Sequence, residues 1–351
     1  MTAAVRLVAC AACWTASVSC SNQSPKAHVA AEVTGLAAVP ASAEVVIVAD
    51  VPRIVHAPLV QRAFEQLLAA DRLLAERWAE LRDRCKLDVS QFSHVTLAIG
   101  PHTDPKPGTG PVLIAATGRL VETEFSACVR AMVGKGGGTL TAKSIANTKT
   151  LYEAKQGSRV MFFAFGRADT VILSASESLV IDALGSGKKV LDNRDMAAWM
   201  GLANQRAPLW AVGKVDPRVR DGLVKVMAGS VSGGPQAFIA SFDPTAGAAA
   251  ELGAIMASAA DAKSLESFAK TQLAVLGMAA QVRALGSIVN KIQISTDCPQ
   301  GQASECKMVR LGAKLDPGDV NQLISALDGG GGSAQISPPQ TQRSGSGSAG
   351  S

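Results

Sequence analysis

Short runs of aliphatic and β-branched residues recur along the chain and are separated by turn-forming residues. The first run is "EVVIVAD", which begins at Glu44. It is followed by "SHVTLAIG", "PVLIAATGRL", "TLTAKSI", "KTLYEAK", "RVMFFAFG" and "TVILSAS". Runs of this composition, bounded by Gly, Pro, Asn and Ser, are typical of β-strands. We therefore predict a folded body that is built largely on strands.

In other stretches of the chain, the apolar residues recur at the spacing of a helix. Between residues 59 and 84 the apolar residues fall on one face of a helix, while most charged residues fall elsewhere. The apolar set is Val60, Phe64, Leu67, Leu68, Leu74, Trp78 and Leu81. This pattern predicts one long helix with a core-facing side. "VETEFSACVRAMV" and, in the second half, "DAKSLESFAKTQLAVLGMAA" predict two further helices.

The second half of the chain repeats the pattern of the first. "AEVVIVADVPRIV", which begins at Ala43, aligns with "APLWAVGKVDPRV", which begins at Ala207, if one inserted residue is allowed. Each half also ends in a short amphipathic helix, "ESLVIDAL" or "GDVNQLISAL". We therefore predict an α+β fold of two tandem modules, at 44–190 and 207–328, made of antiparallel sheet with helices packed on one face. Independent convergence on similar patterns is the alternative explanation.

Both ends of the chain differ from this body. "MTAAVR" carries one positive charge and precedes an apolar run, which is the order of a secretory signal. The run is shorter than the roughly twenty residues that a membrane-spanning helix needs. We predict a signal peptide at 1–19 and an irregular tether at 20–43. A Gly/Ser-rich segment with prolines predicts a disordered tail at 329–351.

The stretch "ASVSC", which ends at Cys20, resembles the lipobox of bacterial lipoproteins. The resemblance implies that Cys20 becomes the mature N-terminus and carries several acyl chains, so that the lipid anchor attaches the protein firmly to a membrane. Ser21 implies sorting to the outer membrane, facing the periplasm or the surface. Two alternatives stay open: lipidation at Cys10, which ends the stretch "LVAC", and cleavage near Ser19 that releases a soluble exported protein.

A second resemblance concerns the start of the body. The pattern P-x-x-A-x-V-V-x-V-x-D is similar to one that opens uncharacterised exported bacterial proteins with a repeated α+β unit. In this chain the matching residues are Pro40, Ala43, Val45, Val46, Val48 and Asp50. The resemblance implies export and a repeated fold. It supplies no site residues, because that group has no established active site.

Four cysteines follow Cys20, and an exported chain can keep them oxidised. Two strand-like runs flank a loop rich in turn formers between Cys298 and Cys306, which predicts a disulfide there. By elimination, Cys85 pairs with Cys128. Two buried free thiols are the alternative for this second pair.

Composition argues against nucleic-acid binding. The net charge of +5 comes from interspersed positive and negative residues, and only 4% of the residues are aromatic. Two glycine-rich stretches, "VGKGGGTLT" and "LGSGKKVL", follow predicted helices instead of strands. In the second stretch, Asp182 and Lys189 occupy the positions at which a phosphate-binding loop needs Gly and Ser or Thr. We therefore expect no nucleotide and no cofactor.

No motif for catalysis or metal binding is complete. "SFAK", from Ser267 to Lys270, matches the SxxK of penicillin-binding enzymes but lacks the companion motifs. The histidines are dispersed at positions 28, 56, 94 and 102. Asp216 and Asp316 precede prolines as helix N-caps would, and Asp243 precedes a proline where a turn opens.

These observations favour a lipid-anchored protein of the cell envelope that is a non-catalytic binding or structural scaffold, with an envelope protein as a possible partner. One alternative is a periplasmic carrier that holds an apolar ligand against the small side chains of "GAAAELGAIMA". Another is an exported hydrolase of unrecognised type, because a fold alone does not exclude an activity.

Overall fold

The computed structural model describes residues 33–101, 110–145, 149–227, 231–282, 286–297 and 306–329. The signal peptide, Cys20, Cys298, residues 20–32 of the predicted tether and residues 330–351 of the predicted tail lie outside these ranges. Within them, twelve strands form one antiparallel sheet in the order β11-β12-β10-β9-β8-β1-β2-β3-β7-β6-β5-β4. The predicted α+β class with antiparallel sheet is therefore confirmed.

The element bounds follow the apolar runs closely. The strands are β1 (Val45–Asp50), β2 (Phe92–Ile99), β3 (Val112–Gly118), β4 (Thr139–Ile145), β5 (Lys149–Gln156), β6 (Arg159–Arg167), β7 (Thr170–Ser174), β8 (Leu209–Lys214), β9 (Ala237–Asp243), β10 (Ala248–Ile255), β11 (Ile292–Asp297) and β12 (Met308–Leu315). The helices are α1 (Val51–Ile54), α2 (Pro58–Ala70), α3 (Arg72–Cys85), α4 (Glu122–Lys135), α5 (Glu177–Leu184), α6 (Arg194–Leu202), α7 (Pro217–Val226), α8 (Ala259–Val282), α9 (Gly286–Val289) and α10 (Pro317–Gly329).

The two halves of the chain share one sheet. β1 pairs with β2 on one side and with β8 on the other, so the first strands of the two halves lie next to each other. In each half three consecutive strands pair in order, a helix follows, and a later strand returns beside the third: β7 beside β3, and β12 beside β10. The two halves are therefore continuous parts of one sheet.

Both faces of the sheet carry helices. The front face, defined by the side chains of Val46, Leu113 and Val212, packs against α5, α6 and a 3₁₀ turn at Gly35–Ala38. The back face, defined by Phe163 and Val309, packs against α4 in the first half and α8 in the second. The prediction of helices on one face was therefore wrong. The central strands alternate apolar side chains toward both faces, so each face must be covered.

The end of the predicted tether belongs to the core. Val33, Ala38, Val39 and Ala43 are buried, and the Val39 carbonyl oxygen accepts a hydrogen bond from the Val190 N–H at 2.9 Å. The tether prediction was wrong for residues 33–43. A single 3₁₀ turn is too short to show a period in sequence, and here its burial is set by docking onto the front face.

The predicted long helix at 59–84 is two helices, α2 and α3, that meet at Asp71. The Asp71 backbone is extended, and its carboxylate accepts a hydrogen bond from the Leu74 N–H at 3.0 Å, so it caps α3. Phe64 and Trp78 pack edge to face across the hairpin, with ring centroids 5.4 Å apart. An aspartate that caps a new helix therefore interrupts a continuous apolar period.

The disulfide between Cys85 and Cys128 is confirmed, and it ties the end of α3 to α4. Cys306 is disulfide-bonded, whereas Cys298, its predicted partner, lies outside the described residues, so that pairing stays a prediction. Of the helices that the structure describes, none combines the length and the apolar character needed to cross a bilayer.

Candidate functional site

The front face is covered across the first half and at Val212 and Ile239 of the second half, and it is open in another part of the second half. β3 and β7 place Leu113 and Ile172 on this face, and both are buried. The corresponding strands of the second half, β10 and β12, place Glu251, Gly312 and Lys314 there. At these positions the second half therefore carries polar residues where the first half carries buried apolar ones.

A cleft of about 610 Å³ lies on this open surface. Its wall toward the first half comes from the segment after α6, and its floor comes from β9, β10, β12 and β11. The lining residues are Asn204, Ala207, Ser241, Asp243, Ala249, Ala250, Glu251, Asn290, Lys291, Gln293, Gly312, Ala313 and Lys314. The volume falls in the range of clefts that hold small molecules.

Strand register sets the floor of the cleft. Glu251 lies opposite Ser241 on one side and Gly312 on the other, and Gly312 lies opposite Gln293. These four residues form a row across four strands, about 14 Å long at the usual strand spacing. Gly312 leaves a depression in the middle of the row, because a Cβ added there would meet no atom closer than 3.9 Å.

Glu251 forms an ion pair with Arg310, which comes from the neighbouring strand on the same face. The Arg310 guanidinium also binds Asp297 at 2.8 Å and donates to the Leu202 carbonyl oxygen at 3.1 Å. Burial lowers the pKa of Arg310, but a guanidinium remains charged at any physiological pH. This ion-pair network fixes the end of α6 to the sheet beside the cleft.

Asp243 is held at the rim of the cleft. Its carboxylate accepts hydrogen bonds from the Thr245 hydroxyl at 2.5 Å and the Thr245 N–H at 3.0 Å, and Arg53 approaches to 3.4 Å. The Thr245 hydroxyl is the main reason that the pKa of Asp243 is lowered. Asp243 opens a turn, as its position before a proline predicts.

The two lysines of the cleft differ in their surroundings. Lys291 binds the carboxylates of Asp319 and Asp316, which raises the pKa of the lysine. Lys314 is exposed on β12, and the described residues place no carboxylate within ion-pair distance of it. Lys314 is therefore the cation of the cleft that remains available to a ligand.

The other residues considered from sequence have structural roles. Lys270 binds Glu266 at 2.6 Å on the surface of α8, so the SxxK match is an ordinary helix turn. The carboxylate of Asp216 caps α7 through the Arg218 N–H at 2.7 Å, and that of Asp316 caps α10 through the Asp319 N–H at 3.0 Å. Both N-cap predictions are confirmed.

The glycine-rich stretches lie at helix ends. "VGKGGGTLT" includes the end of α4, where the Gly138 N–H donates to the Val133 carbonyl oxygen at 2.9 Å. "LGSGKKVL" follows α5, and the Lys189 ammonium donates to the Asp182 and Ala183 carbonyl oxygens that end this helix. Within the described ranges no group of His, Cys, Asp and Glu could hold a metal ion. The structure places neither glycine-rich stretch in the cleft.

Sequence reasoning identified one strand of the site and missed the others. "GAAAELGAIMA" contains β10, whose Ala249, Ala250 and Glu251 line the cleft. The run by itself predicts an apolar lining, but neighbouring strands add Ser241 and Gln293 to the same floor. Only the antiparallel register brings these residues together, and they are far apart in sequence.

Comparisons with known proteins give little further guidance. No family model matches this chain, and no curated protein matches it. One solved structure, titled "Structure of crystal form I of TP0453", is similar with a TM-score of 0.44 and 12% sequence identity. The match covers 85% of this chain and 98% of the other.

Proposed function

We propose that this protein is a lipid-anchored component of the bacterial cell envelope whose body is a non-catalytic binding scaffold. Cys20 is the proposed point of lipid attachment, and the cleft on the open front face is the proposed binding surface. The outer membrane is the proposed location, with the body facing the periplasm or the surface.

One observation carries the binding role: the carboxylates around the floor are already bonded within the protein. Glu251 is paired with Arg310, and Asp243 is held by Thr245 and Arg53. A general base must be free to accept a proton from a bound substrate. Carboxylates held in this way are not free to act as general bases. The cleft is therefore better suited to binding a ligand than to catalysing a reaction.

The two alternatives have less support from this geometry. A carrier for an apolar ligand would be lined mainly by hydrophobic side chains, whereas the lining of this cleft is mixed and includes Ser241, Gln293 and Lys314. A hydrolase would need a nucleophile and a base within hydrogen-bond reach of each other. Neither His56 nor His94 lines the cleft.

The lipid anchor is tested by intact mass spectrometry of the full chain from the membrane fraction, with Cys20→Ser and Cys10→Ser as a matched pair. We expect acyl mass on a chain that begins at Cys20, lost in Cys20→Ser and in cells whose lipoprotein signal peptidase is inhibited. Acyl mass that disappears only in Cys10→Ser would show that the lipid is attached at Cys10 instead. A chain without acyl mass would overturn the anchored form of the proposal.

A further inference from the structure

We propose that the cleft binds a small, polar organic molecule that carries a single anionic group, and that Lys314 receives this group. The inference rests on the proposed binding role of the cleft and names the class of its ligand. It follows from the charges that the lining residues leave unpaired, the position of Lys314 in the floor, and the chemistry of the other side chains.

Most charged side chains of the cleft are paired within the protein. The two acids, Asp243 and Glu251, have cationic partners at Arg53 and Arg310. Lys291 binds two carboxylates outside the floor, Asp316 and Asp319. Lys314 is the cation of this lining for which the described residues supply no carboxylate within ion-pair distance, so its ammonium can receive one anionic group. A polyanion would need a second cation, and Lys291, the other lysine of the lining, already binds Asp316 and Asp319.

Lys314 is placed to bind the end of a ligand. It lies opposite Ala249 and two residues along β12 from Gly312, on the same face. Two residues of a strand span about 7 Å. An anionic group at Lys314 therefore leaves the body of the ligand over the depression at Gly312, within reach of the row that contains Ser241 and Gln293.

The remaining lining groups favour a ligand that is polar but uncharged apart from its single anionic group. Ser241 offers a hydroxyl, and Asn204, Asn290 and Gln293 offer amides, so both donors and acceptors are present. Alanines separate these groups and leave shallow apolar surface between them. Amide or hydroxyl groups linked by short apolar segments fit such a surface.

The charge requirement is tested with two probes that differ in one group: N-acetyl-alanyl-alanine with a free carboxylate, and the same molecule with a C-terminal carboxamide. Binding to the full-length protein is measured by calorimetry and by NMR line shifts. We expect the carboxylate to bind about tenfold more tightly than the carboxamide, because a charge-assisted hydrogen bond is stronger than a neutral one. We also expect the difference to shrink as salt is added.

Variants test whether Lys314 causes the difference in affinity between the two probes. Lys314→Gln should bring the affinity for the carboxylate down to that for the carboxamide, whereas Lys188→Gln, which removes an exposed lysine outside the cleft, should change neither. Gly312→Val should weaken the binding of both probes, because the valine side chain fills the depression. Space is available at that position, and valine suits a strand, so the variant should fold.

Two results would overturn the inference. Equal affinity for both probes, or a preference that survives Lys314→Gln, would mean that Lys314 does not receive an anionic group. Absence of binding by both probes at millimolar concentration would exclude this ligand class. Neither result bears on the lipid anchor, whose mass measurement decides that part of the proposed function independently.

Discussion

Val46 of β1 and Val212 of β8 lie directly opposite each other at the junction of the two halves, and both side chains are completely buried. They belong to one apolar cluster that also contains Ile172 from the first half and Ile239 from the second. The core is therefore continuous across the junction.

Because of this shared core, we expect Val212→Ala to destabilise both halves together. The lost packing should lower the free energy of unfolding by about 1–3 kcal/mol. In urea, the fluorescence transition that includes Trp78 in the first half should stay coincident with the far-ultraviolet circular dichroism transition. Val219→Ala, at an exposed position on α7, is the control and should have little effect. Two separated transitions would contradict a shared core.

The disulfide between Cys85 and Cys128 should contribute substantially to stability. It joins residues 43 apart in sequence, and closing such a loop restricts the unfolded chain. We expect the double variant Cys85→Ser, Cys128→Ser to lose about 2–4 kcal/mol of unfolding free energy. Urea denaturation of both proteins under oxidising conditions measures this difference. Equal stabilities would show that α3 and α4 hold their positions without the bond.

Asp261 should make stability depend on pH. It is 5% exposed, and its carboxylate accepts hydrogen bonds from the Ser258 hydroxyl at 2.7 Å and the Ser232 N–H at 2.8 Å. The Ser258 bond is the main reason that the pKa of Asp261 lies below its ordinary value of 3.8. A carboxyl whose pKa is lower in the folded state stabilises the protein above its unfolded pKa, and this stabilisation is lost as the pH falls through the folded pKa.

We therefore expect Asp261→Asn to cost about 1–3 kcal/mol near neutral pH and less as the solution is acidified below pH 4. Urea denaturation at a series of pH values measures the change. Asp221→Asn is the matched control, because that carboxylate is mostly exposed on α7. A cost for Asp261→Asn that does not decrease on acidification would argue against an ionised carboxylate in the folded state.

Lys291 should control the titration of Asp316. The ammonium and carboxylate are 2.9 Å apart, and this hydrogen bond is the main reason that the pKa of Asp316 is lowered to about 2. We expect Lys291→Gln to raise the pKa of Asp316 toward its ordinary value of 3.8. Carboxyl carbon shifts in an NMR titration report this pKa directly, with Lys188→Gln as the control. An unchanged pKa would assign the shift to the cap of α10 instead.

Strand positions could be predicted from the sequence because each strand carries a local signal. The alignment of Ala43 with Ala207 also placed the openings of β1 and β8 at equivalent points. What it could not supply was the pairing of these two strands with each other. Strand pairing depends on how non-local surfaces meet, and a run such as "EVVIVAD" does not specify its neighbours.

The cleft was less predictable for the same reason. Glu251 is a single polar residue in an alanine-rich run, and nothing adjacent in sequence indicates its partner, Arg310. The sequence does not reveal the capping role of Asp71, because the apolar spacing continues on both sides of it. The N-cap roles of Asp216 and Asp316 were predictable, since a cap is decided by residues only two or three positions away.

The docked segment at 33–43 also has a consequence for the order of folding. Its Ala41 carbonyl oxygen accepts a hydrogen bond from the Asn193 side chain, which lies 152 residues later. A chain that emerges N-terminus first must therefore hold this segment and one side of β1 without their partners until most of the body has been made. Such long-range closure slows folding, and the exposed edge of β1 must be protected from wrong pairing in the meantime.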